Sequence, residues 1–264
     1  MPEGTQTQYT PAEIMTIEAA RRLKNGTVCF VGIGMPSAAA NLARLTHAPE
    51  VVLIYESGTI GAKPDVLPLS IGDGELAEHA DTVVSVPEIF RYWLQGGRVD
   101  VGFLGAAQVD RFGNINTTVI GPYDKPKVRL PGAGGAPEIA SNAKETWIII
   151  KQTARSFVPK LDFLTSVGHL TGGDSRAKSG ARGKGPTAVI TDLGVLVPDP
   201  ATRELTMVAL HPGITWEQAK ASTGWELQRA ETLATTQAPT AGELATLRDL
   251  QARTAKAHGT VSSE

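Results

Sequence analysis

Glu56 closes an uncharged apolar run, Val51-Val52-Leu53-Ile54-Tyr55, and is followed by Ser57-Gly58 and then Gly61. The run reads as a buried strand of the parallel kind, and the glycines after it end the strand and let backbone approach backbone. A carboxylate is thereby delivered to the C-terminal edge of a strand, where open α/β sheets build their sites. Carboxylates are ionised at neutral pH, so one placed there can attack a carbonyl carbon without a general base. Most acidic residues at strand ends simply face water, however, so placement alone does not make Glu56 a nucleophile.

Other residues carry weaker chemical signals. Gly132-Ala133-Gly134-Gly135 can aim backbone N–H groups at a ligand, or can be an ordinary flexible turn. Gly32-Ile33-Gly34 follows a strand and precedes a helix, with Glu56 about 20 positions on, where a dinucleotide fold keeps its ribose-binding acid. An NAD-dependent oxidoreductase is the alternative this suggests, but Ser37 stands where the third glycine belongs and Met35-Pro36 intrudes on the turn. The segment 168–186 is rich in glycine and carries Arg176, Lys178, Arg182 and Lys184. It reads as a mobile loop whose cations could meet a polyphosphate, or as a solvated surface loop. Arg111 and Arg129 could clamp a distal carboxylate, although surface arginines are commoner. His211-Pro212-Gly213 reads as a structural turn, and His169 adjoins the glycine-rich segment.

The elements that must position these groups alternate. Thr10-Pro11-Ala12-Glu13 is a capping box with proline at the first helical position, and Ile14, Ile17 and Leu23 give that helix an apolar stripe ending near Gly26. Strands are expected over 27–33, 51–55, 99–104, 115–120, 147–151, 188–191 and 205–210, with helices over 36–45 and 87–95. Thr240-Ala241-Gly242-Glu243 opens a C-terminal helix with a Leu244, Leu247, Leu250 stripe. The expected fold is α/β, an open and mostly parallel sheet flanked by helices, in a single domain over 1–264 with residues 1–9 flexible.

Composition narrows the function further. With 264 residues and 41% apolar residues the chain can fill one large core. The 25 Lys and Arg against 27 Asp and Glu leave no basic excess, so neither nucleic acid nor an anionic membrane is an expected partner. The single cysteine, Cys29, lies in an apolar strand and reads as core filler. No stretch approaches a membrane span and the N-terminus has no leader-like pattern, so a cytoplasmic setting is expected. No cluster has metal-ligand spacing.

Glu56-Ser57-Gly58, Ile60-Gly61-Ala62-Lys63-Pro64 and Leu67-Pro68-Leu69-Ser70-Ile71-Gly72-Asp73 resemble the catalytic glutamate loop of the B (β) subunits of family I CoA-transferases. The resemblance continues through Phe90-Arg91-Tyr92-Trp93, Gly105-Ala106-Ala107-Gln108, Gly113-Asn114-Ile115-Asn116 and Leu130-Pro131-Gly132-Ala133-Gly134-Gly135. It covers nearly the whole chain beyond the first ten residues. It is nearest to the members acting on 3-oxoadipate, and next to those acting on glutaconate.

The resemblance implies the family I fold and an enzyme that moves CoA from succinyl-CoA to 3-oxoadipate during the breakdown of aromatic compounds. Glutaconate or another short dicarboxylate is the alternative acceptor. It implies Glu56 as nucleophile in a ping-pong cycle, with Gly134, Gly135 and Asn116 stabilising the oxyanion. It places Gly32 and Gly34 near the CoA or acyl site and implies an A (α) subunit as partner, in a heterodimer or heterotetramer. CoA thioester enters as substrate and no tightly bound cofactor is required. A non-catalytic effector-binding module on a related fold is a further possibility, against which the intact Glu56-Ser57-Gly58 argues.

Overall fold

The computed structural model describes residues 8–259. Most of the segment expected to be flexible, 1–9, lies outside the described residues. Of its last two residues, Gln8 accepts a hydrogen bond from Arg248 at its carbonyl and Tyr9 packs against the core.

Thr10 caps helix α1 (Pro11–Arg21) as its sequence dictates: its hydroxyl accepts from the Glu13 amide at 3.2 Å while the Glu13 carboxylate accepts from the Thr10 amide at 2.7 Å. Strand β1 (Val28–Phe30), helix α2 (Met35–Leu45) and strand β2 (Val52–Ile54) follow. Then come β3 (Thr59–Ile60), the helical turn α3 (Glu75–Glu78), β4 (Thr82–Val83), the turn α4 (Val86–Glu88) and a π-helical segment Ile89–Leu94. Strand β5 (Val101–Gly105) precedes four two-residue strands, β6 (Gln108–Val109), β7 (Ile115–Asn116), β8 (Val119–Ile120) and β9 (Val128–Arg129). The remainder comprises α5 (Ala136–Asn142), β10 (Glu145–Ile149), α6 (Ser175–Lys178), β11 (Pro186–Ile190), β12 (Gly194–Pro198), β13 (Leu205–Leu210), α7 (Trp216–Ala221), β14 (Gln228–Thr235) and α8 (Ala241–Ala257).

Ten strands form one sheet in the order β14-β13-β12-β11-β10-β5-β1-β2-β3-β4. Its centre, from β11 to β2, is parallel throughout. Those strands read as continuous apolar runs because both their faces are covered. Cys29, Leu53, Phe103 and Trp147 face the layer made by α1, α2 and α8, whereas Phe30, Ile54, Leu104 and Ile148 face α5 and the π-helical segment. Leu244, Leu247 and Leu250 of α8 are buried, which stabilises its docking by about 1.5–3 kcal/mol for each side chain.

Several elements depart from the sequence expectation. The strand expected over 115–120 is broken into β7 and β8, because the Asn116 carboxamide oxygen accepts from the Thr118 and Val119 amides and turns the chain. The helix expected over 87–95 is π-helical in its main part, with the Gln95 amide donating to the Phe90 carbonyl at 2.8 Å. Strands β12 and β14, like the two-residue strands β3, β4, β6 and β9, have no counterpart in the expectation. β14 is an edge strand of mostly exposed residues and shows no apolar alternation.

Candidate active site

Strand β2 ends at a fixed point. Tyr55 is buried, and its hydroxyl meets Ser37 Oγ at 2.9 Å and accepts from Asn41 Nδ2 at 3.4 Å. Burial pushes its phenol up to about 12, so it holds its proton and serves as an anchor. The chain then reverses into β3 through a tight turn in which the Gly58 amide donates to the Tyr55 carbonyl at 3.0 Å. Glu56 and Ser57 occupy the two corners of that turn. Gly58 has φ +109°, and a Cβ there would run into the Val84 carbonyl, so only glycine closes the turn.

The opposite wall is the glycine loop. Thr117 clamps its start: the Gly132 amide donates to the Thr117 carbonyl at 2.9 Å and Thr117 Oγ1 donates to the Gly132 carbonyl at 2.7 Å. A Cβ on Gly135 would lie 2.8 Å from Glu56 Oε1 and 2.8 Å from Phe90 Cζ. The missing side chain is what allows the Glu56 carboxylate to lie against this backbone. Among the described residues the Gly134 and Gly135 amides have no acceptor, and the half-buried Glu56 carboxylate has no hydrogen-bond or ion-pair partner. The neighbouring Ser57 hydroxyl is also buried without a partner. Unpaired polar groups are uncommon inside proteins, and here the buried Gly135 amide and Ser57 hydroxyl are two such groups, on either side of Glu56.

Glu56 and this loop border a cavity of about 650 Å³ at the C-terminal edge of the parallel strands. Gly32 lines it, two residues past the Phe30–Ile54 pairing of β1 and β2, as do Leu104 to Ala107 at the end of β5 and just after it, and Ile149 to Lys151 at the end of β10. Gly34 does not line it and instead precedes α2 with φ +81°. Among the described residues, Glu56 and Lys151 are the only titratable side chains on the walls.

The structure does not bring Asn116 to this cavity. Its amide donates to Gln108 Oε1 at 2.8 Å and to the Val119 carbonyl at 2.7 Å, so both N–H groups are committed, and the residue that reaches the wall is its neighbour Thr117. The four cations of 168–186 also lie elsewhere. Arg176 is buried, and its guanidinium donates to the carbonyls of Ala140, Val167, Gly168, Arg182 and Gly183. Lys178 pairs with Asp174 at 2.9 Å and Arg182 donates to the Gln95 carbonyl at 2.7 Å. Lys184 hydrogen-bonds through its amide to Lys144, just before β10 begins. The segment therefore sits at the N-terminal edge of a strand whose other end borders the cavity, roughly 17 Å away along five residues.

Neither arginine considered as a carboxylate clamp lines the cavity. Arg111 pairs with Glu204 at 3.8 Å, and Arg129 stacks over Tyr123 at 4.7 Å. Both histidines are hydrogen-bonded supports, His211 between Thr236 and Thr191 and His169 on the Pro186 carbonyl. Cys29 is buried in the core, where desolvation pushes its thiol up. Lys151 escapes sequence reasoning although its signal resembles that of Glu56: a charge immediately after the apolar run Trp147-Ile148-Ile149-Ile150.

A family model described as Coenzyme A transferase matches residues 12–222, which spans the Glu56 turn, the glycine loop and Lys151. The chain belongs to the coenzyme A transferase family. It is 68% identical to the B (β) chain of the 3-oxoadipate CoA-transferase of Pseudomonas knackmussii, over 97% of this chain and 98% of that one. It is 35% identical to the B (β) chain of the glutaconate CoA-transferase of Acidaminococcus fermentans, over 84% of this chain and 85% of that one. The crystal structure of the Acidaminococcus fermentans glutaconate CoA-transferase superposes with a TM-score of 0.87 at 32% identity, covering 92% of this chain and 95% of its own. The decarboxylase AibA/AibB superposes with a TM-score of 0.77 at 28% identity, covering 91% and 94%. A coenzyme A transferase fold thus carries more than one reaction, and the site rather than the fold must decide which. Family membership displaces the dinucleotide reading of Gly32-Ile33-Gly34. Among the described residues no helix is long and apolar enough to cross a membrane.

Proposed function

We propose that this chain is the catalytic-glutamate subunit of a 3-oxoadipate CoA-transferase, which moves CoA from succinyl-CoA to 3-oxoadipate in the breakdown of aromatic compounds. One observation carries the reading: the Glu56 carboxylate, unpaired among the described residues, lies against the Gly135 backbone in a glycine loop whose Gly134 and Gly135 amides have no acceptor there, at a cavity with otherwise largely apolar walls.

The chemistry follows from that arrangement. A Glu56 oxygen adds to the thioester carbonyl of acyl-CoA, and the Gly134 and Gly135 amides hold the oxyanion that forms. Collapse expels CoA thiolate and leaves an acyl-glutamyl anhydride. The thiolate then adds to the glutamyl carbonyl, the first carboxylate leaves, and Glu56 carries CoA as a thioester. The second acid enters by the reverse steps, regenerating the Glu56 carboxylate. No net proton or electron is consumed.

The relatives are named as one of two kinds of subunit, which supports an A-type partner in a heterodimer or heterotetramer. The acceptor reading rests on the 68% identity; a glutaconate or other short dicarboxylate specificity is the alternative. The test uses the chain co-expressed with its partner. Incubation with acyl-CoA alone adds the mass of CoA at Glu56, and borohydride then inactivates the enzyme by reducing the thioester. Glu56→Ala loses both effects. Near-wild-type transfer by Glu56→Ala overturns the nucleophile assignment, and a panel of short oxo and dicarboxylic acids ranks the acceptors.

A further inference from the structure

Lys151 is the only cationic residue on the walls of the Glu56 cavity among the described residues, and its side chain has no hydrogen-bond or ion-pair partner there. Lys151 is exposed, at the rim of the cavity, and the wall beside it is apolar. Ile149 and Ile150 precede it, and Leu104, Phe103 and Ile139 share the cavity wall. Lys63 and Lys144, by contrast, are neutralised by Asp81 and Asp100. Water solvates the exposed Lys151 ammonium, and as the one cation at the rim it gives the cavity mouth a positive potential that favours an anionic group on an entering ligand.

The sheet fixes how far that anion lies from the nucleophile. Glu56 follows β2 and Lys151 follows β10, and the order β10-β5-β1-β2 separates the two strands by three steps. Three inter-strand spacings make about 14 Å between backbones. The reach of the two side chains reduces that gap to the scale of a short acyl chain. An acid whose reacting carboxylate meets Glu56 can therefore extend a second carboxylate toward Lys151 along the apolar wall.

We infer that Lys151 binds the distal, non-reacting carboxylate of the acyl group and selects dicarboxylic over monocarboxylic acids. The inference rests on the CoA-transferase reading of this site. It names a specificity-determining residue to replace Arg111 and Arg129, which face elsewhere. Both a succinyl donor and a 3-oxoadipate acceptor present such a carboxylate, so one lysine serves both halves of the cycle. A single ammonium also suits one carboxylate better than a CoA pyrophosphate, which requires several donors.

The test compares acceptors of equal length with and without the second carboxylate, 3-oxoadipate against 3-oxohexanoate, in the complete complex of this chain and its partner. Lys151→Met should lower kcat/KM for 3-oxoadipate by roughly 10- to 100-fold, as expected for loss of a charge-assisted hydrogen bond. It should leave 3-oxohexanoate nearly unchanged, and Lys151→Arg should recover much of the preference. Equal losses on both acids, which would place Lys151 on the CoA moiety, overturn the inference, as does no loss on either. Thermal stabilisation by adipate against hexanoate gives the same ratio without turnover; a Lys151→Met complex that still favours adipate as the wild type does also overturns it. Failure of the catalytic reading shows separately, as absence of a Glu56 adduct in the wild type.

Discussion

The two glycine-rich segments of this chain reach opposite outcomes. In the 132–135 loop the Gly134 and Gly135 amides have no acceptor among the described residues and a carboxylate rests against the backbone, while at 168–186 the chain wraps carbonyls around the buried Arg176 guanidinium. The first segment sits beyond the C-terminal ends of the parallel strands, the second beside the start of β10. Similar composition thus gives a receptive site in one place and a self-satisfied knot in the other. What separates them is whether the polar groups find partners within the fold.

Substitutions can break that contrast. Glu56→Asp keeps the charge but withdraws it from Gly135 by one methylene, and turnover should fall by about 10²-fold or more. Single-turnover adduct formation measures it. Gly135→Ala puts a methyl group where the carboxylate and the Phe90 ring already are, so kcat should drop about 10²-fold while the melting temperature stays near that of the wild type. A large loss of stability without loss of turnover would make Gly135 a packing residue instead.

The knot should respond in the opposite sense. Arg176→Met strands several buried carbonyls and should cost about 2 kcal/mol in urea unfolding, with unaltered kcat in the folded fraction. Lys178→Ala with Lys184→Ala should change stability by less than about 0.5 kcal/mol and leave the KM for acyl-CoA unchanged. A raised KM would return these cations to the CoA site.

A modest, pH-dependent effect concerns neither segment and serves as a baseline. Burial raises the Glu243 pKa, but the Arg21 guanidinium and the Thr240 cap outweigh it and hold this carboxyl at about 2. In the unfolded chain a glutamate titrates near 4.3, so below about pH 4.3 the unfolded state binds the extra proton. The contribution is complete above that pH and is lost as pH falls toward 2. Glu243→Gln should therefore lower stability by about 1 kcal/mol at pH 6 and by almost nothing at pH 2.5, in acid titrations of the melting temperature.

Much of this was legible in the sequence. The parallel centre could be read because strands covered on both faces must be apolar from end to end, and the Glu56 turn because Ser57-Gly58 stops such a run abruptly. The capping boxes at Thr10 and Thr240 appear as their residue types dictate. β14 could not be read, since an exposed edge strand needs only backbone pairing with β13 and leaves no side-chain pattern. The burial of Arg176 was equally hidden: its partners are carbonyls, which every residue has. The setting of Asn116 was hidden too: its carboxamide is spent on Gln108 and on the turn after β7, and its neighbour Thr117 is the residue that holds the glycine loop.

The backing of the nucleophile's turn has an evolutionary corollary. Gly58 is pressed on the Val84 backbone and Tyr55 is tied to Ser37, whereas Glu56 between them has no polar partner among the described residues. The turn works as a socket whose insert is independent of its housing. Exchanging residue 56 would alter the reaction at little cost to folding, so a lineage can lose or change its chemistry in one step and keep its architecture. Positions 55 and 58 have no such freedom, and drift there would be removed as misfolding before it could be tried as function.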